Sequence, residues 1–586
     1  MKHFFYLLLL VGCIYPALSQ TKLEKLTVEK IMRDPKWIGT SPSAAYWSND
    51  GKYLFFKWNP EKAISDSLYY ITKDNPTPRK APVALWQNSI NASAVQYNLS
   101  RTAYTYSKDG DIFLTDIKTG KEKRITQTVD NESDPVFSFN DTKIVYNRNQ
   151  NLFAWDIASG LTTQLTNFQK GTAPAQEAKP INPRRMQGPP KDEKKEPLNT
   201  QEKWLQNDQL QNFSVLKSRK DKRDLADSLG KLLPKPKELK SIYTEEKNLN
   251  DVAVSPGGRF ITYRLYKPAS DAKNTIVPNY VTETGFTQDI PGRSKVGVPQ
   301  GSYEFFVFDA EKDTVIAVKP EQIPGINDLP DYAKDYPSKD TAKKKPATRS
   351  VIINGPYWSD KGTHAMLDIR SIDNKDRWLM LLDGETGKLK LIDRQRDEAW
   401  VGGPGVGYFF GGIDAGWIDE NTFWYQSESS GYSHIYSVNV NSDQKTTITT
   451  GKYEVQQAQL SKDKKYFFIT TNEVHPGEQQ FYRLPVSGGK AERITTLTGA
   501  NQVTVSPDEK QIAILYSYSN KPWELYLQEN KPGTKAQQIT FQAVTDEFKS
   551  YPWRDPELIT ITASDGATVY ARLYRPAVAN PAKPDR

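Results

Sequence analysis

Along most of this chain, apolar and polar residues alternate with a period of two, in short runs that break at Pro, Gly, Asn or Asp. Residues 502–540 show the unit most completely. Val503 and Val505 alternate with polar neighbours, a Ser506-Pro-Asp508 turn follows, and residues 511–518 alternate again. A polar break at 520–522 precedes a third run over 523–528, and a Lys531-Pro-Gly533 turn leads to Gln538, Ile539 and Thr540. Period-two alternation puts successive side chains on opposite faces of a strand, and the breakers supply the turns. Four strands in about forty residues is the size of one β-propeller blade.

The unit recurs. It starts at Ala45, with an Asn49-Asp-Gly51 turn; near Ala94, with a third strand over 112–116; and at Asp134. Further copies begin at Asp251, with the third strand delayed to 303–308, and at Gly355, Ala415, Ala458 and Gln502. In four of the eight copies, at Ser48, Ser255, Ser461 and Ser506, a Ser-x-Asp or Ser-x-Gly turn joins the first two strands. Eight such units predict an all-β, eight-bladed β-propeller over 44–550, preceded by an N-terminal arm over 20–43 in which 26–32 can form a short amphipathic helix.

Two excursions interrupt the ring. Residues 169–245 hold 17 Lys and Arg against 11 Asp and Glu, most of the chain's net charge of +8. Trp204, Leu205, Leu210, Phe213 and Leu216, then Leu225, Leu229 and Leu232, recur at three- to four-residue spacing, which predicts a helical hairpin projecting from the rim. The stripe breaks over 218–223, which argues against a coiled-coil dimer. The charge sits on this one polar insertion, so a solvated excursion is expected and nucleic acid is not a predicted partner. The second excursion, 321–348, ends in Lys343-Lys-Lys-Pro346 and reads as a loop.

The first residues add a compartment. Lys2, an apolar run over 4–14 and the small-residue Ala17-Leu-Ser19 form a signal peptide over 1–19, too short to span a bilayer comfortably. Export to the periplasm or the extracellular space follows. The single cysteine, Cys13, lies within it; Leu10-Val-Gly-Cys13 also fits a lipoprotein box, so a lipid anchor at Cys13 is the alternative. No later stretch reads as transmembrane.

From Ile559 the pattern changes to Ile-Thr-Ile-Thr-Ala-Ser-Asp-Gly-Ala-Thr-Val-Tyr-Ala-Arg-Leu-Tyr-Arg-Pro576, one hairpin around a Ser-Asp-Gly turn. It resembles the opening hairpin of the α/β-hydrolase domain in the prolyl oligopeptidase family of serine peptidases, which set that domain on a propeller. Eight blades are similar to the dipeptidyl-peptidase IV-like branch. So are Ser427-Glu-Ser-Ser-Gly-Tyr-Ser-His-Ile-Tyr436 and Arg293-Ser-Lys-Val-Gly-Val-Pro299. The resemblance runs from about Leu26 to the end, apart from 169–240. It implies a two-domain exopeptidase that removes N-terminal dipeptides from peptide substrates, with a catalytic serine in a Gly-x-Ser-x-Gly elbow. A homodimer stays open.

No Gly-x-Ser-x-Gly occurs in these 586 residues, and the histidines other than His3 (His364, His434 and His475) belong to the strand repeats. The expectation is therefore a propeller with a truncated hydrolase start over 555–586, carrying no catalytic residue of its own. The alternative is a non-catalytic periplasmic propeller that binds peptides or a protein partner.

The branch holds the substrate's free α-amine with two propeller glutamates in a Tyr-Glu-Glu run. The matching residues are Glu245 and Glu246 in Tyr243-Thr-Glu-Glu246, where Thr244 interrupts the run. Two carboxylates at close range favour an ammonium group and measure its distance from a nucleophile. The alternative is two exposed glutamates ending a charged segment. Glu428, Tyr432 and His434 match the second family run, as substrate-binding residues or as blade packing. The Gly402-Gly-Pro-Gly-Val-Gly407 stretch lacks the Lys-Ser/Thr ending of a phosphate loop and reads as a turn. No spacing suggests a metal, and no cofactor is expected.

Overall fold

The computed structural model describes residues 26–173, 199–232, 239–335, 348–407 and 413–575. The signal peptide, Cys13 and the Lys343-Lys-Lys-Pro346 run lie outside them. Eight four-stranded antiparallel sheets follow one another along the chain. Blade 1 runs from Ser43–Trp47 to Asn75–Lys80, blade 2 from Gln96–Tyr97 to Glu122–Arg124, and blade 3 from Glu132–Ser138 to Thr162–Gln164. Blade 4 runs from Asn248–Val254 to Thr314–Val318, and blade 5 from Val351–Trp358 to Leu389–Arg396. Blades 6, 7 and 8 begin at Ala415–Trp417, Val455–Leu460 and Ala500–Val505. The eight-bladed propeller read from the repeats is the fold.

The local chemistry of each unit explains its turns. Ser48, Ser461 and Ser506 each accept the N–H five residues on at 3.0 Å and donate to the aspartate two residues on, at 2.6–2.7 Å. Ser255 and Ser359 accept the same N–H at 3.1 Å. A side chain that supplies the turn's own hydrogen bonds fixes the register between strands one and two. Middle strands are packed on both faces, which is why Asp376–Leu382 is almost wholly buried while the fourth strand Glu122–Arg124 is exposed.

Every blade is built from one contiguous stretch, so the ring closes by packing and not by strand exchange. Trp47, Leu54, Phe56, Trp58 and Ile71 of blade 1 bury against Ala513, Leu525, Leu527 and Ile539 of blade 8. The Trp47 indole also donates to the Thr504 carbonyl at 3.1 Å. The arm reinforces this joint: Thr40 N–H donates to Gln542 O at 2.8 Å, Thr545 N–H to Ile38 O at 2.7 Å, and Lys30 pairs with Glu547 at 2.8 Å. Buried apolar clusters fill seven of the eight seams; among the described residues none spans blades 1 and 2.

Both excursions leave the ring at blade junctions. Asn167–Gln169 and Ser241–Tyr243 pair in parallel, so the two ends of the large insertion are joined at its neck. Beyond the neck stand the helices Thr200–Asn212 and Ser214–Leu232. Asn199 and Glu202 form a reciprocal cap on the first. The second continues through 218–223, where the apolar stripe lapses, because Lys and Arg are good helix formers there. A hairpin of Asn274–Asn279 with Gln288–Ser294, absent from the sequence reading, delays the third strand of blade 4. Arg293 lies on its return strand.

Candidate functional site

In a four-stranded meander the 1–2 and 3–4 turns lie at one end, and the 2–3 turn and the crossing to the next blade lie at the other. This sorts the candidate residues. Glu245 and Glu246 lie in the crossing from blade 3 to blade 4, and Gly402 to Gly407 in that from blade 5 to blade 6. Glu428 and Tyr432 lie in the 2–3 turn of blade 6. All share one face, called the upper face below. The hairpin Glu557–Leu573 rests on it too: Tyr570 meets His475 edge to face at 5.1 Å, and Asn520 donates to Asp555 at 2.9 Å.

The glutamate pair is built on the neck of the insertion. Thr244 is buried and its N–H donates to Gln169 O at 2.9 Å, so the residue that interrupts the Tyr-Glu-Glu run is part of the neck. Glu245 exchanges both backbone hydrogen bonds with Gly171, at 2.9 and 3.1 Å, and sits at φ 55°. That left-handed backbone turns two successive exposed carboxylates out of the strand. Glu245 pairs with Lys247 at 3.2 Å, and Lys247 pairs with Glu304 of blade 4 at 2.8 Å. The Glu304 hydrogen bond is the largest influence raising the Lys247 pKa. Glu246 is exposed, with no ion-pair partner among the described residues. An ammonium group, that of Lys247, thus already stands between two carboxylates, those of Glu245 and Glu304.

Glu428 is held by the glycine stretch. Its carboxylate accepts the N–H groups of Gly402 and Gly403 at 3.3 and 3.0 Å. A Cβ on Gly403 would stand 2.0 Å from Glu428 Oε1, so the backbone approaches as only glycine allows. Tyr432 is half-buried; its carbonyl accepts from Ser430 at 3.2 Å. Among the described residues, no hydrogen bond or ion pair joins this group to Glu245 or Glu246.

His434 is buried within blade 6. Its Nε2 donates to Gly451 O at 3.0 Å, so Nδ1 accepts from the Thr449 hydroxyl at 3.0 Å, and that hydroxyl accepts the Ile435 N–H at 2.9 Å. The same latch recurs in four other blades. Asp111, Asn151, Gln480 and Glu524 each take the hydroxyl of a threonine fifteen or sixteen residues on: Thr126, Thr166, Thr495 and Thr540. Each hydroxyl accepts the next N–H at 2.8–3.0 Å. In those four blades an Arg or Gln two residues before the threonine also donates to its carbonyl, at 2.6–3.1 Å. The position His434 occupies is a blade-locking one. The signal was present in the sequence as a repeated Arg/Gln-Ile/Leu-Thr at the end of the unit.

Among the described residues no group of three His, Cys, Asp or Glu is placed to hold a metal. No helix there is long and apolar enough to cross a membrane.

Residues 87–174 and 242–523, more than half of the chain, match the family model described as the dipeptidyl peptidase IV (DPP IV) N-terminal region. The chain belongs to this family. The gap in the match, 175–241, falls on the insertion, so both helices lie outside the matched residues. The match begins at residue 87 and ends inside the third strand of blade 8, a narrower span than the sequence resemblance drew. Among solved structures, the chain is similar to dipeptidyl peptidase 4 of Porphyromonas gingivalis, at 12% identity and a TM-score of 0.50, over 94% of this chain and 67% of that one. It is also similar to a protein of Bacteroides ovatus described as a dipeptidyl aminopeptidase IV, at 12% identity and a TM-score of 0.49, over 94% and 68%. At such identity the likeness to the P. gingivalis structure speaks for the fold.

Proposed function

We propose that this chain is the propeller part of an exported DPP IV-like serine peptidase, in which the ring positions the free amino end of a peptide and a hydrolase domain supplies the nucleophile. The observation that carries this is the display of Glu245 and Glu246 on the upper face, the face on which the hairpin Glu557–Leu573 rests. The hairpin is the first element of that hydrolase domain. Leu558, Ile561 and Val569 on it are exposed, a surface that the body of such a domain would cover. Glu245 and Glu246 bind the α-ammonium of the peptide, in competition with Lys247. Glu428 and Tyr432 flank the peptide from blade 6.

Binding to the chain itself tests this. A dipeptide-like ligand with a free amine is expected to bind more tightly than its N-acetylated form, and Glu245→Gln with Glu246→Gln is expected to abolish that preference. Equal binding of both forms by the unaltered protein would remove the assignment. The chain alone is expected not to hydrolyse a Gly-Pro chromogenic substrate; turnover blocked by a serine-reactive phosphonate would contradict the division of labour. Export is tested by the mature N-terminus, expected at Gln20; a lipidated Cys13 would replace it with an anchor. The lack of Gly-x-Ser-x-Gly also suits a free-standing binding propeller. Reading the coding frame beyond Arg586 separates the two.

A further inference from the structure

On the lower face, opposite the hairpin, the 1–2 turns of all eight blades converge and touch their neighbours. Leu99 N–H of blade 2 donates to Asp141 of blade 3 at 2.8 Å. Asn140 N–H of blade 3 donates to Pro256 O of blade 4 at 3.1 Å, and Lys361 N–H of blade 5 to Glu420 of blade 6 at 2.8 Å. Tyr97 of blade 2 donates to Asn49 of blade 1 at 2.7 Å. One turn does more than touch its neighbours. Residues 461–465 of blade 7 hold Glu509 of blade 8 through the Lys462 N–H at 2.8 Å, and the Lys462 ammonium donates to Pro507 O.

The same ammonium stands 5.6 Å from the Tyr97 ring of blade 2, three blades away around the ring. Two residues on, Lys464 pairs with Asp360 of blade 5 at 2.6 Å, passing over blade 6. These contacts are chords across the mouth of the ring and not links along its rim. The chord to Tyr97 also spans the junction of blades 1 and 2, the one seam that no buried apolar cluster fills among the described residues. Lys462 remains exposed at this mouth, and partial desolvation, followed by the nearby Arg101 charge of blade 2, lowers its pKa.

We infer that the 461–465 turn is a cross-ring clasp. It bridges the lower mouth and fastens blade 7 to blades 8, 2 and 5, in a ring that has no strand exchange to close it. The clasp stands on the ring alone and does not depend on the peptide reading above.

Two measurements on the full chain test it. Zero-length carbodiimide coupling of the unaltered protein is expected to join Lys464 to Asp360. Two other exposed pairs, Lys312 with Glu385 at 3.0 Å and Lys390 with Asp443 at 2.7 Å, serve as internal standards. If both standards couple and Lys464 does not, the chord to blade 5 is absent in solution and the proposal fails. Hydrogen exchange then compares the unaltered chain with Lys462→Ala/Lys464→Ala. A clasp predicts exchange about tenfold faster at 97–102 of blade 2 and 359–364 of blade 5, far away in sequence. A change confined to 461–465 would overturn it. If the double variant fails to melt cooperatively, the coupling result on the unaltered protein decides.

Discussion

The hydroxyl of Thr449 and the imidazole Nδ1 of His434 lie 3.0 Å apart in blade 6, the relation that Thr495 and Gln480 repeat at 2.8 Å in blade 7. The histidine that the family run offered as substrate-binding or as blade packing thus stands in a repeated structural slot. The slot needs an acceptor for the threonine hydroxyl, and in blades 6 and 7 its occupant also donates to a backbone carbonyl, of Gly451 and Leu497 respectively.

His434→Gln is therefore expected to cost less than about 1 kcal/mol, because a glutamine fills the slot in blade 7. His434→Ala leaves the Thr449 hydroxyl and the Gly451 carbonyl without their partner in a buried place and is expected to cost about 2–4 kcal/mol. Denaturant midpoints at neutral pH measure both. A Gln variant as damaged as the Ala variant would show that the slot requires an imidazole.

Glu524 fills the same slot in blade 8, where it accepts from Thr540 and from Ala543 N–H, the latter at 2.8 Å. Burial, the largest influence, raises its pKa above the ordinary 4.5, against the lowering effect of those hydrogen bonds. Between 4.5 and the raised value the folded chain binds more protons at this site than the unfolded chain does, so stability falls as pH rises through that window. Its contribution is greatest below 4.5. Glu524→Gln is expected to flatten this slope and to leave stability near neutral pH equal or higher. Midpoints measured from pH 4 to 7 check it; an unchanged slope would place the titration elsewhere.

Asp376, fully buried at the end of blade 5, gathers three guanidinium groups: Arg349 at 2.6 Å, Arg394 at 2.9 Å and Arg396 at 2.9 Å. Through Arg349 and Arg396 it also holds the backbone carbonyl of Asp328, in the crossing from blade 4. Asp376→Ala leaves three partly buried cations facing one another and is expected to cost about 3–5 kcal/mol by chemical denaturation. A loss below 1 kcal/mol would mean that Asp328, Asp373 and Glu398 suffice to neutralise them.

Gly405 sits at φ +64°, and a Cβ there would come 1.8 Å from Oε1 of the buried Gln426. Gly405→Ala combines backbone strain with a clash and is expected to cost more than about 2 kcal/mol. Because the stretch carries the N–H groups that hold Glu428, the variant is also expected to weaken peptide binding on the upper face. A variant with unaltered melting and binding would show that the stretch rearranges freely.

Much of this molecule was legible along the chain because its rules are short-range. Alternation, Ser-x-Asp turns and aromatic third strands act within a few residues, so all eight blades could be counted. The helices beyond the neck were legible for the same reason, by their three- to four-residue spacing. The hairpin of Asn274–Asn279 with Gln288–Ser294 was not, since its strands are exposed and carry Pro278 and Pro291 in place of clean alternation. Lys247 could not have been read as the partner of Glu245 by strand alternation, because the two meet within a turn, closed by Lys247 N–H to Thr244 O at 3.1 Å, that starts from the left-handed backbone of Glu245. Glu304 could not either, because its approach depends on register across the inserted hairpin.

The sequence by itself determined the unit, its number and the class of the fold, since each rests on hydrogen bonds and side-chain alternation among near neighbours. Only the tertiary structure decided what the candidate residues meet. It set Glu245 against Lys247 and Glu304, and Glu428 against two glycine N–H groups. It also placed His434 inside a latch whose other half lies fifteen residues away. It decided as well that the ring closes by apolar packing and by lysines reaching across its mouth. Contacts between residues a hundred or more positions apart arise only once eight locally specified sheets are wound around one axis.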